Sequence, residues 1–156
     1  MCYYPSMKVV TDEKKIDELL TRGVDKIYPS REKLEEVLRS GKKLKLYQGF
    51  DPTGNKLHIG HMVGLRKLAE WQVLGHHVIF LIGDLTAMIG DPSGKFSSRK
   101  VLTHDETLAN AKNYKEQASK ILKFTGDNPA EILFNGDWLG KQSAVDNHRQ
   151  SRRGLA

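Results

Sequence analysis

The amino-acid sequence predicts an α/β fold in which helices flank a parallel sheet of doubly wound type. Three short segments, at residues 45–50, 78–82 and 131–135, have the apolar composition of strands. Two longer segments, 59–74 and one that begins at Thr103, place apolar residues at the helical period. Strands that alternate with helices favour a parallel sheet, because each helix returns the chain to the end where the previous strand began.

Residues 12–40, ahead of the first strand, are also predicted to be helical. Leu34 and Leu38 belong to an apolar stripe of the kind that an ordinary amphipathic helix buries. Ser30 could cap the start of this helix and Gly41 could end it. Nothing in this region requires a functional explanation.

The later elements have recognisable boundaries. The helix over 59–74 should end at Gly75, and residues 83–103 should form a polar loop. Thr103 and Glu106 have the spacing of a capping box, so they predict a helix start. The apolar face expected for that helix consists of Leu108, Ala111, Ala118, Ile121 and Leu122.

Composition restricts the class of protein. The chain has 156 residues, of which 38% are hydrophobic and 28% charged, so it can form one core. The longest apolar run, Val78 to Ile82, is far too short to span a bilayer, and the N-terminus lacks a secretory pattern. Cys2 is the only cysteine, which excludes an internal disulfide. We therefore expect a cytoplasmic protein without a membrane partner.

The net charge of +6 does not by itself indicate a nucleic-acid partner. Half of the positive excess lies in residues 141–156, which have neither helical nor strand periodicity. This basic tail could be a solvated segment. It could also be a non-native sequence produced by truncation or a shifted reading frame, and we favour that interpretation.

The most informative segment runs from Tyr47 to His61 and predicts a strand, a turn and a helix start. A helix N-terminus has unpaired N–H groups and a partial positive charge, which suit a phosphate. Gly60 would let a ligand lie against the backbone. His58 and His61 lie three residues apart, so their rings should project from the same side of the first turn. The segment therefore predicts a nucleotide phosphate site.

Two other interpretations of this histidine pair are possible. Helical histidines three apart can share a metal ion, but the neighbouring sequence supplies no third and fourth ligand. One ring could instead have a structural role by capping a carbonyl. The phosphate interpretation explains the turn, the glycine and the helix start together.

A second informative segment spans residues 86–100. Gly94-Lys95 resembles the end of a Walker loop, but the preceding glycine lies at the wrong spacing. Lys95 and Arg99 could close over a departing polyphosphate, whereas the plainer alternative is a solvated basic turn. Asp91 precedes a proline, which holds it in an extended or turn conformation, where its carboxylate could bind an ammonium group or cap the backbone.

Residues 45–140 resemble the N-terminal half of class I tyrosyl-tRNA synthetases of bacterial type. The resemblance is carried by Tyr47–Thr53 (YQGFDPT), His58–His61 (HIGH) and Thr86–Lys95 (TAMIGDPSGK), with Asp137-Trp138-Leu139 after the next strand. The histidine signature alone marks the class, whereas the three segments in this order and spacing are specific. The resemblance implies a Rossmann-like, HIGH-type nucleotide-binding fold and a ligase that activates tyrosine with ATP.

The resemblance also implies roles for residues at the tyrosine end of the site. Tyr47 would hydrogen-bond the phenol of the substrate tyrosine. Asp91 would bind its ammonium group with Thr86 alongside. Asp51 would lie near both the amino acid and the nucleotide.

Other residues would act on ATP. Thr53, His58 and His61 would contact the phosphates as charge develops. Gly49 and Gly60 would lie against the nucleotide, the latter beside the adenine. Two further basic residues would close on the departing pyrophosphate, Lys95 and Arg99.

Family resemblance further implies a domain organisation and a set of partners. Residues 1–44 would be an N-terminal helical segment, 45–140 the N-terminal half of the catalytic domain, and 141–156 the basic tail. L-tyrosine, ATP and tRNA(Tyr) would be the substrates, with Mg²⁺ on the phosphates and no metal site in the protein. The full-length form would be a homodimer. Family members are more than twice as long, so the activity of this apparently truncated chain alone is left open.

Two alternatives belong to other functional classes. A small HxGH nucleotidylyltransferase shares the Phe-Asp-Pro turn, but it would leave about 45 preceding residues and the 86–100 segment unexplained. A non-catalytic nucleotide-binding fragment would hold ATP weakly without turnover.

Overall fold

The computed structural model describes residues 7–89 and 102–141. Two helices come first, α1 at Glu13–Thr21 and α2 at Arg31–Arg39. Strand β1 at Lys45–Phe50, helix α3 at Ile59–Val73 and strand β2 at His77–Ile82 follow. The remaining elements are α4 at Asp84–Ile89, α5 at His104–Ala118, β3 at Glu131–Phe134 and α6 at Gly136–Leu139.

The three strands form one parallel sheet in the order β1-β2-β3. Phe50 pairs with Ile82 and Ile82 with Phe134, so the strands end in one row. The predicted parallel α/β sheet is therefore confirmed. The strand order runs in one direction, so the reversal that defines a doubly wound sheet does not occur within the described ranges.

The main core lies between the sheet and helices α3 and α5. Alternate residues of β2 point into it, because side chains on a strand alternate between the two faces. Its buried members come from both helices, from the strands and from the loop between α5 and β3: Phe50, Leu65, Leu68, Val78, Phe80, Ile82, Ala111, Tyr114, Ala118, Leu122 and Ala130. Helices α3 and α5 therefore cover the same face of the sheet.

The prediction of helix across 12–40 was wrong between the two helices. Helix α1 ends at Thr21, and Gly23 then takes a φ of +67°, which glycine adopts without strain. Pro29 has no N–H to donate, and its ring disfavours a helical residue before it. The cap at Ser30 is confirmed, because its hydroxyl accepts from the Lys33 N–H at 3.3 Å.

The expected loop over 83–103 was wrong in part, because α4 occupies its beginning. This helix has six residues, too few to show a helical period in the sequence. The capping box of α5 is confirmed by hydrogen bonds between Thr103 and Glu106 in both directions. Leu108, expected on the apolar face, is exposed, because α5 buries the face formed by Thr107, Ala111, Tyr114 and Ala118.

No helix in the described part of the chain is long and apolar enough to cross a membrane.

Candidate functional site

The candidate site lies where the three strands end. Asp51 follows β1, Gly83 follows β2 and Asn135 follows β3. The strand register places these residues side by side at the carboxyl edge of the sheet. Parallel α/β sheets bind their ligands at this edge.

Two histidines form the start of α3. His58 is the N-cap residue, and its Nδ1 accepts a hydrogen bond from the Gly60 N–H at 3.2 Å. His61 returns the contact, because its Nδ1 accepts from the His58 N–H, also at 3.2 Å. The two rings stack with their centroids 3.8 Å apart. The predicted juxtaposition of the two rings is confirmed.

These contacts determine which nitrogen carries the proton. A neutral imidazole has one donor and one acceptor nitrogen, so a ring whose Nδ1 accepts must carry its proton on Nε2. Burial, and then the neighbouring charge of His58, lower the pKa of His61. At neutral pH the His61 ring is therefore an uncharged Nε2–H donor.

The same contacts occupy backbone N–H groups that were expected to donate hydrogen bonds to a phosphate. The N–H groups of Gly60, His61 and Met62 already donate to His58, so they are not the unpaired groups that the sequence predicted. A ring that caps a carbonyl was the structural role considered for the pair. The two rings instead accept hydrogen bonds from backbone N–H groups. The side-chain hydrogen bonds available to a phosphate at this helix start come from the imidazole rings.

Gly60 makes room for one of these rings. A Cβ added at this position would lie 3.0 Å from Cε1 and 3.1 Å from Nδ1 of His58. This is closer than carbon atoms normally approach, so a side chain would displace the ring. The predicted contact of Gly60 with adenine stays a prediction.

Helix α5 holds the loop that leads into the histidine pair. The Asn110 amide donates to the Pro52 carbonyl at 3.0 Å. The Gln117 side chain accepts from the Leu57 N–H at 3.0 Å and donates to the Asn55 carbonyl at 2.9 Å. Neither side chain was predicted from the sequence, although their spacing of seven residues places them on one helix face.

A buried tyrosine lies beneath the site. The Tyr114 ring contacts His61, with 5.7 Å between the ring centroids. Burial, and then the charge of Asp51, raise the pKa of the Tyr114 phenol. Tyr114 therefore stays uncharged and supports the His61 ring from below.

Asp51 and Thr86 meet at the end of β1. The Thr86 hydroxyl donates to Asp51 Oδ1 at 2.7 Å and accepts from the Asn135 amide at 3.0 Å. Gly83 passes between them, where an added Cβ would overlap both the Asp51 carboxylate and the Thr86 hydroxyl. The structure thus brings together two residues predicted to bind tyrosine. It also adds Asn135, which the sequence analysis missed.

Tyr47 and Gly49 lie on the face of β1 opposite α3, because Phe50 and Gln48 point toward that helix. Tyr47 is 70% exposed. Thr53 is exposed, and its N–H donates to the Asp51 carbonyl at 2.8 Å. Their roles in ligand binding stay predictions.

The predicted residues Asp91, Lys95 and Arg99 lie outside the described residues. Within the described ranges, no group of three or more histidine, cysteine, aspartate or glutamate side chains could hold a metal ion.

Comparisons with known proteins agree with the resemblance found in the sequence. Residues 39–151 match the family model described as tRNA synthetases class I (W and Y). The chain is 52% identical over 128 residues to a tyrosine–tRNA ligase of Xylella fastidiosa, covering 82% of this chain and 30% of the relative. It is 51% identical over 134 residues to a tyrosine–tRNA ligase of Xanthomonas campestris, covering 84% and 32%. The chain thus spans about a third of the length of these relatives.

Among solved structures, a C-terminally truncated mitochondrial tyrosyl-tRNA synthetase of Aspergillus nidulans has a similar fold. The TM-score is 0.70 at 25% identity, with 86% of this chain and 41% of the other covered. The family match extends past residue 140, and the domain boundaries expected at 44 and 140 stay predictions.

Proposed function

This chain belongs to the class I tRNA synthetases (W and Y), and we propose that it supplies the tyrosine- and ATP-binding part of a tyrosine–tRNA ligase. The observation that carries this proposal is the histidine pair at the start of α3. Each Nδ1 is engaged by a backbone N–H, which leaves both Nε2–H groups as donors at the carboxyl edge of the sheet. Such donors suit the oxygens of the ATP phosphates.

The reaction needs positioning more than proton transfer. The carboxylate of tyrosine would attack the α-phosphorus of ATP, which forms tyrosyl-adenylate and releases pyrophosphate. That carboxylate is already ionised at neutral pH, so no general base is required. The main obstacle is negative charge, both as the two anions meet and as it spreads over the transferring phosphate. Fixed donors such as His58 and His61 stabilise that charge without having to reorient.

The amino acid would lie beside Asp51 and Thr86. A carboxylate at the end of β1 suits an ammonium group, and Asp91, outside the described residues, would share it. Tyr47 would pair with the phenol on the face of β1 opposite α3. An amino acid without that hydroxyl would leave the Tyr47 hydroxyl without its partner, which disfavours phenylalanine.

Mg²⁺ would be held chiefly by the phosphates of ATP. This fits the described residues, because they form no cluster of metal ligands, and Mg²⁺ commonly binds through substrate phosphates and water. Its charge would help neutralise the triphosphate. Lys95 and Arg99 would act on the departing pyrophosphate.

Transfer to tRNA(Tyr), a homodimeric assembly and a cytoplasmic location complete the proposal. Transfer to tRNA is supported by the names of relatives that are about three times as long as the chain. The homodimer and the location rest on the family resemblance alone. A small nucleotidylyltransferase is not favoured, because the family match includes both the histidine signature and the segment at 86–100.

The test is amino-acid-dependent exchange of labelled pyrophosphate into ATP, with tyrosine, phenylalanine and tryptophan offered separately. We expect exchange with tyrosine alone. Binding of tyrosine and of ATP should be measured by calorimetry on the same sample. Binding without exchange would show that the chain supplies the binding part of the ligase but does not catalyse the reaction by itself. Absence of both would refute the proposed function.

A further inference from the structure

A chain of hydrogen bonds leads from β3 to the Asp51 carboxylate. Asn135 Oδ1 accepts from the Leu85 N–H at 3.0 Å. Its Nδ2 donates to Thr86 Oγ1, also at 3.0 Å, and the Thr86 hydroxyl reaches Asp51 Oδ1 at 2.7 Å. Residues that lie 49 and 35 positions apart in the sequence are therefore linked.

The direction of each of these hydrogen bonds follows from which atoms can donate and which can accept. The Leu85 N–H can only donate, so the Asn135 atom that faces it must be the carbonyl oxygen. The amide nitrogen then faces Thr86 and donates to it. The single hydroxyl proton of Thr86 is left for Asp51, which as a carboxylate can only accept. Hydrogen bonds that run in one direction polarise one another.

Asn135 is itself held firmly. It is buried, and its backbone N–H donates to the Ile82 carbonyl at 2.9 Å. The next residue, Gly136, donates its N–H to Asp84 Oδ1 at 2.8 Å, and Asp84 is also buried. A Cβ on Gly136 would lie 2.6 Å from the second Asp84 oxygen, so position 136 has no space for a side chain.

Asp51, in contrast, is exposed. Only its Oδ1 receives a side-chain hydrogen bond from the described residues. We propose that Asn135 is a positioning residue that acts through Thr86, fixing the Asp51 carboxylate so that Oδ2 faces the ligand. The proposal rests on the proposed function, because it takes the ammonium group of tyrosine as that ligand.

The first measurement tests the chain of bonds without any ligand. Urea unfolding of Asn135→Ala, Asp51→Ala and the double variant gives the coupling between two residues that Thr86 separates. We expect a coupling of about fivefold in the folding equilibrium constant, which should disappear when the cycle is repeated in Thr86→Val. Thr86→Ser keeps the hydroxyl and should keep the coupling. Equal coupling with and without that hydroxyl would overturn the proposal.

Asn135→Asp provides a second test that does not depend on whether Asn135→Ala folds. Its carboxylate still accepts from Leu85 but cannot donate to Thr86, so it should weaken folding more when Thr86 is present than when valine replaces it. The same loss in both backgrounds would contradict the proposed direction of the bonds.

The second measurement tests positioning toward a ligand. Calorimetry compares L-tyrosine with 3-(4-hydroxyphenyl)propanoate, which lacks the ammonium group. Asn135→Ala should reduce the preference for tyrosine about fivefold, an effect that a general loss of structure would not produce. Asn128→Ala, a hydrogen-bonded asparagine at the opposite edge of the sheet, is the matched control and should leave the preference unchanged.

The outcomes separate the two proposals. If Asn135→Ala leaves the preference for L-tyrosine over its analogue unchanged, the positioning role is overturned. This holds even if the unfolding measurements show coupling between Asn135 and Asp51. A wild-type chain that does not prefer tyrosine over its analogue would refute the proposed function. In that case the unfolding cycle still decides whether Asn135 acts on Asp51.

Discussion

The two edges of the sheet carry polar clusters of opposite character. The amino-edge cluster consists of Gln72, His76 and Asn128, and the carboxyl-edge cluster consists of Asp51, His58, His61, Thr86 and Asn135. Gln72 and His76 are buried, and the Gln72 amide bonds to the Lys123 and Asn128 carbonyls at 2.6 and 3.0 Å. Asn128 donates to the Gln72 and His76 carbonyls at 3.0 and 2.9 Å.

The carboxyl-edge cluster is more open. Asp51 and His58 are exposed, and the hydrogen bonds between described residues use Asp51 Oδ1 and the two imidazole Nδ1 atoms. Internal hydrogen bonds therefore have a different role at each edge of the sheet. At the amino edge they join the end of α3 to the loop between α5 and β3. At the carboxyl edge they orient Asp51 and His58, which are exposed.

The largest expected effect is on catalysis. His61→Ala should slow adenylate formation about 100-fold, because removing one preorganised donor from developing charge costs about that much. Tyrosine binding should stay nearly intact. Rapid-quench measurement of tyrosyl-adenylate, in a sample for which pyrophosphate exchange has been established, provides the check. His77→Ala is the matched control, because His77 lies at the amino edge and pairs with Glu131 at 2.7 Å. Equal losses in adenylate formation and tyrosine binding would contradict the role of His61.

The next effect is on stability. Gln72→Ala should lower the free energy of unfolding by about 3 kcal/mol, because it removes three hydrogen bonds between a buried side chain and the backbone of Lys123 and Asn128. Tyrosine affinity should not change. Gln117→Ala, which loosens the loop before His58, should lower stability less and should instead lower the affinity for ATP. Urea denaturation and calorimetry on both variants measure the contrast, and a loss of tyrosine affinity in Gln72→Ala would remove the distinction between the edges.

The smallest effect is a pH dependence. Burial, and then the charge of Lys43, lower the pKa of His76, whose Nε2 has no hydrogen-bond partner among the described residues. The unfolded chain then binds a proton more readily than the folded chain. Stability should therefore fall as the pH drops below about 6.5, the ordinary histidine value.

His76→Phe should flatten this pH dependence, measured as urea midpoints between pH 5 and 8. His61, whose pKa is also lowered, should contribute a remaining slope, which His61→Ala would remove. An unchanged slope in His76→Phe would show that protonation of His76 does not oppose folding.

Much of the fold was predictable, because strand and helix periods and capping residues act over a few neighbouring positions. The strands at 45–50 and 78–82, the helix that begins at Ile59 and the capping box of Thr103 and Glu106 were all found this way. Helix α4 was missed because six residues carry too little periodic signal. The break between α1 and α2 was missed because one helix was predicted over 12–40, although Gly23 and Pro29 both disfavour a helix interior.

The sequence by itself determined the parallel α/β fold, the family and the pairing of His58 with His61. Only the tertiary structure decided which side chains support Asp51. Asn135 lies 84 residues from Asp51 in the sequence, and the register of β1, β2 and β3 places them at one edge. Local sequence patterns specify single elements, whereas contacts between distant residues depend on how the strands align.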